Sequence, residues 1–220
     1  MGGVTGASPG IADYWDAAAP TFDDEPDHGL RAERVRAAWT RLIRGWAPPP
    51  PADVLDVGCG TGSLSLLLAE DGHRVSGVDL APRMVRLAQD KLAAAGHTGR
   101  FVVGDAADPP TGRGRFDMVV CRHLVWTLPE PRSALREWLA RLRPDGRLVL
   151  VEGRWAQAGQ TGPHMAGTES LPWGNGVTAD ELVAALGPLV SDLRVESLSG
   201  DEDLWGRPVD DERYAVIAYR

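Results

Sequence analysis

At 220 residues, with 43% hydrophobic and 25% charged side chains, the chain can bury a full core, and these ordinary values exclude wholesale disorder. A formal charge of −8 gives no sequence-wide attraction for phosphate backbones or anionic lipid, so neither nucleic acid nor a membrane surface is expected as a partner. There is no apolar run of the roughly eighteen residues a membrane span needs, and the start MGGVTGASPG lacks the features of a targeting signal, so a cytoplasmic location is expected.

Residues 1–29 read as a mixed leader containing the acidic stretch Phe22–Gly29. From Leu30 to Trp46, apolar residues recur at helical spacing, and Pro48–Pro51 stop that helix and form a stiff connector. Residues 1–51 are therefore expected to form a helical cover with its linker, packed on a core of residues 52–220. Short apolar runs then alternate with helical stretches. Strands are expected at Val54–Val57, Arg74–Val78, Arg100–Val103, Phe116–Cys121 and Arg147–Glu152, with helices at Ser63–Glu70, Pro82–Ala95 and Ser133–Leu142. This rhythm predicts an α/β fold, a doubly wound and mostly parallel sheet. Residues 153–177 lack periodicity and read as a long loop over an acceptor pocket. Thr178–Leu186 carries a capping box through Glu181. Leu189–Leu198 and Tyr214–Tyr219 alternate as two last strands, joined by the acidic loop 200–211. Cys59 and Cys121 form no secreted framework and no zinc spacing, so no metal centre is expected.

The most informative segment is Val54-Leu-Asp-Val-Gly-Cys-Gly-Thr-Gly-Ser63. A buried strand runs into Gly58, Gly60 and Gly62 and then into a helix, so the backbone can turn tightly and approach a ligand. Asp79 follows at the end of the second strand, where a carboxylate can accept the ribose hydroxyls of an adenosine. The spacing is G-x-G-x-G, not the G-x-G-x-x-G of dinucleotide sites, and Asp56 precedes the first glycine by two residues. A carboxylate there repels a pyrophosphate and suits an ammonium or sulfonium group, which favours S-adenosylmethionine over NAD.

Asp56-Val-Gly-Cys-Gly-Thr-Gly62 resembles the first motif of the class I S-adenosylmethionine-dependent methyltransferases. The likeness continues through Gly77–Met84, Gly104–Ala106, Phe116–Arg122 and Leu142–Leu148, over roughly residues 50–152. The resemblance implies a Rossmann-like seven-stranded sheet in the order 3-2-1-4-5-7-6, with the last strand antiparallel. It also implies S-adenosylmethionine as cofactor and S-adenosylhomocysteine as product. Carried onto this sequence, it puts Asp56 near the methionine amino end and Gly58, Cys59 and Gly60 under the cofactor. Asp79 falls at the ribose, Leu80 and Met84 beside the adenine, Asp105 at the adenine amino group with Ala106 next to it, and the Arg122 backbone at the methionine ammonium. Tyr14-Trp15 resembles the lid element of small-molecule methyltransferases, with Tyr14 expected at the cofactor. One departure stands out: relatives often carry His-His before Leu-Pro, where this chain has Trp126-Thr127, which suggests an apolar or aromatic acceptor wall in place of a general base.

Methyl transfer is an in-line displacement, so the protein's main task is alignment, and a base is needed only where the acceptor holds its proton. His123, at the end of the fourth strand, and Glu152, at the end of the fifth, are the catalytic candidates. Trp126, Trp155, His164 and Trp173 are expected to line the acceptor pocket, with Trp205 a further aromatic above it, and His28 to close over the cofactor. His73 and His97 are expected on the surface. Acids at Asp23, Asp24, Glu25, Glu152 and Glu202 tilt the expectation slightly toward a cationic acceptor. The expected activity is methylation of an N or O atom of a small molecule, such as a bacterial secondary metabolite, by a monomer or homodimer.

Overall fold

The alternating apolar runs fold as seven strands in one sheet of order β3-β2-β1-β4-β5-β7-β6, as the motifs imply. The structure is a computed structural model and describes residues 9–112, 114–154 and 170–220. The strands are β1 (Asp53–Val57), β2 (Arg74–Asp79), β3 (Gly99–Val103), β4 (Phe116–Arg122), β5 (Leu142–Arg154), β6 (Asp192–Ser197) and β7 (Glu212–Tyr219). Pairings among β1 to β5 are parallel, and β7 runs antiparallel to both β5 and β6. Strand order reverses between β1 and β4, where Val57 lies level with Cys121 and both strands end at one edge. That reversal opens the crevice in which sheets of this kind bind ligands.

The central strands β1, β4, β5 and β7 feed two cores by simple alternation. Val54, Met118, Val120, Val149, Val151, Ala215 and Ile217 face one layer, and Leu55, Val119, Cys121, Leu148, Leu150, Val216 and Ala218 face the other. The first layer is closed by α3 (Glu33–Trp46), α4 (Ser63–Glu70) and α5 (Pro82–Ala94) through Trp39, Trp46, Leu68 and Leu92. The second is closed by α6 (Pro131–Ala140) and α7 (Ala179–Leu186) through Leu135, Trp138, Leu182 and Leu186. Trp39, Trp46 and Trp138 are thus core residues. Helix α7 starts with the expected capping box, with Glu181 N–H donating to Thr178 Oγ1. Among the described residues no helix is long and apolar enough to cross a membrane.

The leader carries more structure than its composition suggests. Helix α1 (Pro9–Ala18), a 3₁₀ turn (Ala19–Asp24) and the single-turn α2 (Pro26–Gly29) cover the crevice. Leu30 does not start α3; its φ of 50° closes α2, and α3 begins at Glu33. The expected strand at Leu189 starts later, at Asp192, because Gly187–Leu189 make a 3₁₀ turn around Pro188. A short helix α8 (Glu202–Trp205) occupies the acidic loop. His73 is a correction to the surface expectation: it is buried, and Ala52 N–H donates to its Nδ1 at 3.3 Å.

Candidate active site

Where β1 ends, Gly58 N–H and Cys59 N–H both donate to the Val78 carbonyl, at 2.8 and 3.0 Å, pinning the glycine turn to β2. Gly62 then caps α4 at φ 78°, and a Cβ there would lie 2.8 Å from that of Ala88. Only glycine satisfies both conditions. Asp79 at the end of β2 accepts from Gly60 N–H and from Ala81 N–H, each at 2.9 Å. Burial raises its pKa above the usual carboxylate range, against the pull of those N–H bonds.

Asp56 is buried, and its Oδ2 accepts from Ser65 Oγ at 2.6 Å. Burial pushes its pKa up to about 6, with the Ser65 hydrogen bond and the Arg122 guanidinium opposing. Above this floor lies a cavity of ≈ 1320 Å³. That exceeds the roughly 300–1,000 Å³ of a single-ligand pocket and leaves room for a cofactor and a second molecule together. Asp56, Gly58, Cys59, Gly60, Asp79, Leu80, Met84, Asp105, Ala106 and Arg122 all border it, so the chain brings these expected cofactor residues to one place.

The cover meets this floor through its own side chains. Ile11, Trp15 and Ala18 recur along one face of α1 and line the cavity. Tyr14 points outward from that face, is 37% exposed and does not line the cavity, so the lid contact falls to its neighbour Trp15. The Trp15 ring meets Phe22 and Trp126 edge-on, with centroids 6.0 and 6.4 Å apart. Phe22 also lies over Gly60, where an added Cβ would come within 3.4 Å of its ring.

Trp126 also borders the cavity and donates its Nε1–H to the His123 carbonyl at 2.9 Å. His123 also borders it; its backbone takes φ 57°, in the left-handed region, and its ring stacks on Trp205 with centroids 5.8 Å apart. Burial and the charges of Arg122 and Arg213 hold its pKa well below the ordinary histidine value.

Glu152 behaves differently from the reading of the sequence. It is fully buried, does not border the cavity, and its Oε1 accepts from Leu124 N–H at 3.0 Å and Val125 N–H at 3.1 Å. Burial pushes its pKa up to about 8, against the pull of the two N–H bonds and the Arg213 charge. It holds the turn after His123 and does not face a substrate. Trp173 is likewise a core residue, packed with Val177 and Leu182 away from the cavity. Trp155 and His164 lie outside the described residues. Of the expected acceptor loop, residues 153, 154 and 170–177 do not border the cavity; Arg207–Asp211, in the acidic loop, and Arg213 beyond it do so instead.

The acids that suggested a cationic acceptor are mostly engaged elsewhere. Asp23 is paired with Lys91, Asp24 with Arg31, and Glu152 with backbone. Reading the sequence placed Trp15 in the lid element but chose Tyr14 as the contact, and it missed Phe22 as a lining group, although Ile11, Trp15 and Ala18 carry a short helical period that points to a covered face.

Residues 54–146 match a family model described as a methyltransferase domain. The ubiquinone biosynthesis O-methyltransferase of Xanthomonas axonopodis pv. citri (strain 306) is 34% identical over 138 residues, which is 62% of this chain and 54% of that protein. The chain thus spans about half the length of the curated relatives it matches. Among solved structures, the [4+2]-cyclase SpnF superposes with a TM-score of 0.72 at 21% identity, covering 97% of both chains. The N-methyltransferase NodS from Bradyrhizobium japonicum WM9, in complex with S-adenosylhomocysteine, superposes with a TM-score of 0.66 at 18% identity, over 93% of this chain and 98% of that one. At these identities the likeness shows a shared fold.

Proposed function

We propose that the chain, whose residues 54–146 match a methyltransferase domain, is a class I S-adenosylmethionine-dependent methyltransferase that moves a methyl group from that cofactor to an N or O atom of a small molecule. The observation that carries this reading is the floor of the cavity. Asp79 stands at the end of β2, the buried Asp56 at the end of β1, and between them runs a glycine turn that leaves the backbone open to a ligand. Fold alone assigns no chemistry, as the cyclase among the similar structures illustrates.

Asp79 holds the ribose hydroxyls, Asp56 and the backbone at Arg122 hold the amino end, and Leu80, Met84, Asp105 and Ala106 enclose the adenine. When bound, the cofactor supplies a methyl group already activated on a positively charged sulfur. The protein then contributes alignment and exclusion of water. Trp15 and Phe22 close the cavity from the cover, Trp126 and Trp205 form aromatic walls for the acceptor, and His123 contacts it. Glu152 is a positioning residue that holds the turn at Leu124 and Val125. Trp155 and His164 remain proposed for the acceptor side, and Tyr14 supports Trp15 from outside. With most acids engaged, an O atom is favoured over a cationic amine, in keeping with the O-methyltransferases among the relatives. A bacterial secondary metabolite, a cytoplasmic location, no nucleic-acid or membrane partner, and a monomer or homodimer complete the reading.

Calorimetric titration with S-adenosylmethionine and S-adenosylhomocysteine tests it, with Asp79→Ala as control. Micromolar binding of both, lost in the control, is expected, followed by transfer of labelled methyl to members of a panel of phenols, alcohols and amines. Cofactor binding with no transfer to any of them would leave a non-catalytic binding module. No binding by a folded protein would overturn the reading.

A further inference from the structure

Among the described residues, Asp27, His28 and His123 place a carboxylate oxygen and two imidazole nitrogens all within 4.8 Å of one another, although His28 and His123 lie far apart in sequence. Asp27 and His28 lie on α2 of the cover, and His123 follows β4 of the core. All three border the cavity.

Each imidazole is held in place. The His28 ring stacks on Phe22, with centroids 4.3 Å apart and planes 12° from parallel, and His123 stacks on Trp205. His28 Nδ1 faces the Phe22 carbonyl at 3.3 Å. A carbonyl only accepts, so the proton sits on Nδ1 and the lone pair on Nε2. That arrangement is the one by which metal-binding histidines are oriented. The lone pair is 3.9 Å from Asp27 Oδ2, another acceptor, so the pair faces across a gap that a cation suits. His123 is presented by a backbone in the left-handed region, a conformation uncommon outside glycine and found at functional sites.

We infer that Asp27, His28 and His123 form a binding site for a divalent transition-metal cation, shared between the cover and the core. Two imidazoles and one carboxylate form a borderline donor set that suits Zn²⁺, Fe²⁺ or Co²⁺ better than Mg²⁺ or Ca²⁺, which prefer all-oxygen sites. Bonds of about 2.0–2.2 Å at tetrahedral angles need ligand atoms roughly 3.3–3.5 Å apart. The three groups therefore need to close by about 1.5 Å at most from their present separation. Arg122 is turned to the Asp27 carbonyl, and Arg213 is paired with Asp211 at 2.6 Å. Three protein ligands leave further positions open to the cavity, where an acceptor oxygen can bind. The site itself stands on geometry alone; its role toward an acceptor rests on the methyl-transfer reading.

The test is titration of untagged, chelator-stripped protein with Co²⁺, followed by visible absorption, with S-adenosylhomocysteine binding measured separately by calorimetry. One Co²⁺ per chain, with ligand-field bands, is expected. His28→Gln and Asp27→Asn should each weaken it at least tenfold while far-UV circular dichroism stays unchanged. Protein that binds S-adenosylhomocysteine but takes up no Co²⁺, or folded variants that bind Co²⁺ as tightly as the parent, would overturn the site and leave the methyl-transfer reading in place. Co²⁺ binding that both substitutions weaken, without S-adenosylhomocysteine binding, would keep the site and remove that reading.

Discussion

The Asp23 carboxylate and the Lys91 ammonium stand 2.8 Å apart, joining the 3₁₀ turn of the cover to α5 through the only lysine in the chain. Lys91 also donates to Thr61 Oγ1 at 2.9 Å and Ser63 Oγ at 2.7 Å, on the segment where the glycine turn becomes α4. Burial lowers its pKa, with the Asp23 carboxylate opposing. One side chain therefore ties together the cover, the glycine turn and α5.

Removing the ammonium leaves Asp23 largely buried without its counter-charge, and the pair is only 16–20% exposed. Lys91→Met is expected to destabilise the fold by about 1–3 kcal/mol, below the full cost of breaking a fully buried pair. It should also speed S-adenosylhomocysteine dissociation several-fold. Stopped-flow displacement and denaturant unfolding measure the two effects. An unchanged off-rate would mean that the cover does not retain the cofactor.

Asp56, with its pKa near 6, ties cofactor affinity to pH. A cationic amino end or sulfonium favours the carboxylate form, so the cofactor binds the deprotonated protein. Affinity is expected to be flat above pH 7 and to fall below pH 6 by at most tenfold per pH unit. Calorimetry across pH 5–8 reads this, and Asp56→Asn should bind weakly at every pH and lose the slope. A slope that survives in Asp56→Asn would assign the titration to another group.

Glu152 controls stability in the opposite sense. Its folded pKa of about 8 lies above the ordinary 4.5, so the folded state holds the proton more tightly than the unfolded state. Its contribution is fully present below pH 4.5 and is lost as pH rises through 8, amounting to about 5 kcal/mol at most. Glu152→Gln keeps a carbonyl for the Leu124 and Val125 N–H groups and removes the titration. Urea unfolding at pH 5, 7 and 8.5 is expected to show a flatter profile in the variant and a gain over the parent at pH 8.5. Parallel profiles would mean that Glu152 is already ionised in the fold.

Neighbouring aromatics in α1 should separate cleanly. Trp15→Ala removes a cavity wall that touches Phe22 and Trp126, and about tenfold weaker S-adenosylhomocysteine binding is expected, on the order of 1.4 kcal/mol. Tyr14→Phe removes only an outward hydroxyl and should stay within about twofold. Equal losses in the two variants would return Tyr14 to the site.

The strand positions and the glycine turn were legible because they rest on local rules, whereas the sheet order was implied by the family resemblance and is the order observed. Strand alternation, the G-x-G-x-G turn, the acid closing β2 and the capping box at Thr178 each need only a few neighbouring residues. The glycines mark backbone that must turn, and Asp56 and Asp79 mark the charge of the ligand. The rest was read less well: Glu152, at a strand end, was read as a catalytic group at the crevice but is drawn under the Leu124 and Val125 N–H groups, and Trp173, read as a pocket wall, lies in the core.

By itself, the sequence determined the order of the elements, the two faces of the central strands and the glycine turn after β1, since each follows from spacing along a short stretch of chain. Only the tertiary structure decided which loop covers the cavity, which of Tyr14 and Trp15 turns inward, and that His28 meets His123. Those outcomes depend on how the cover packs over the end of β4 and against α5 and α8, and contacts between segments some hundred residues apart leave no period in the chain to read.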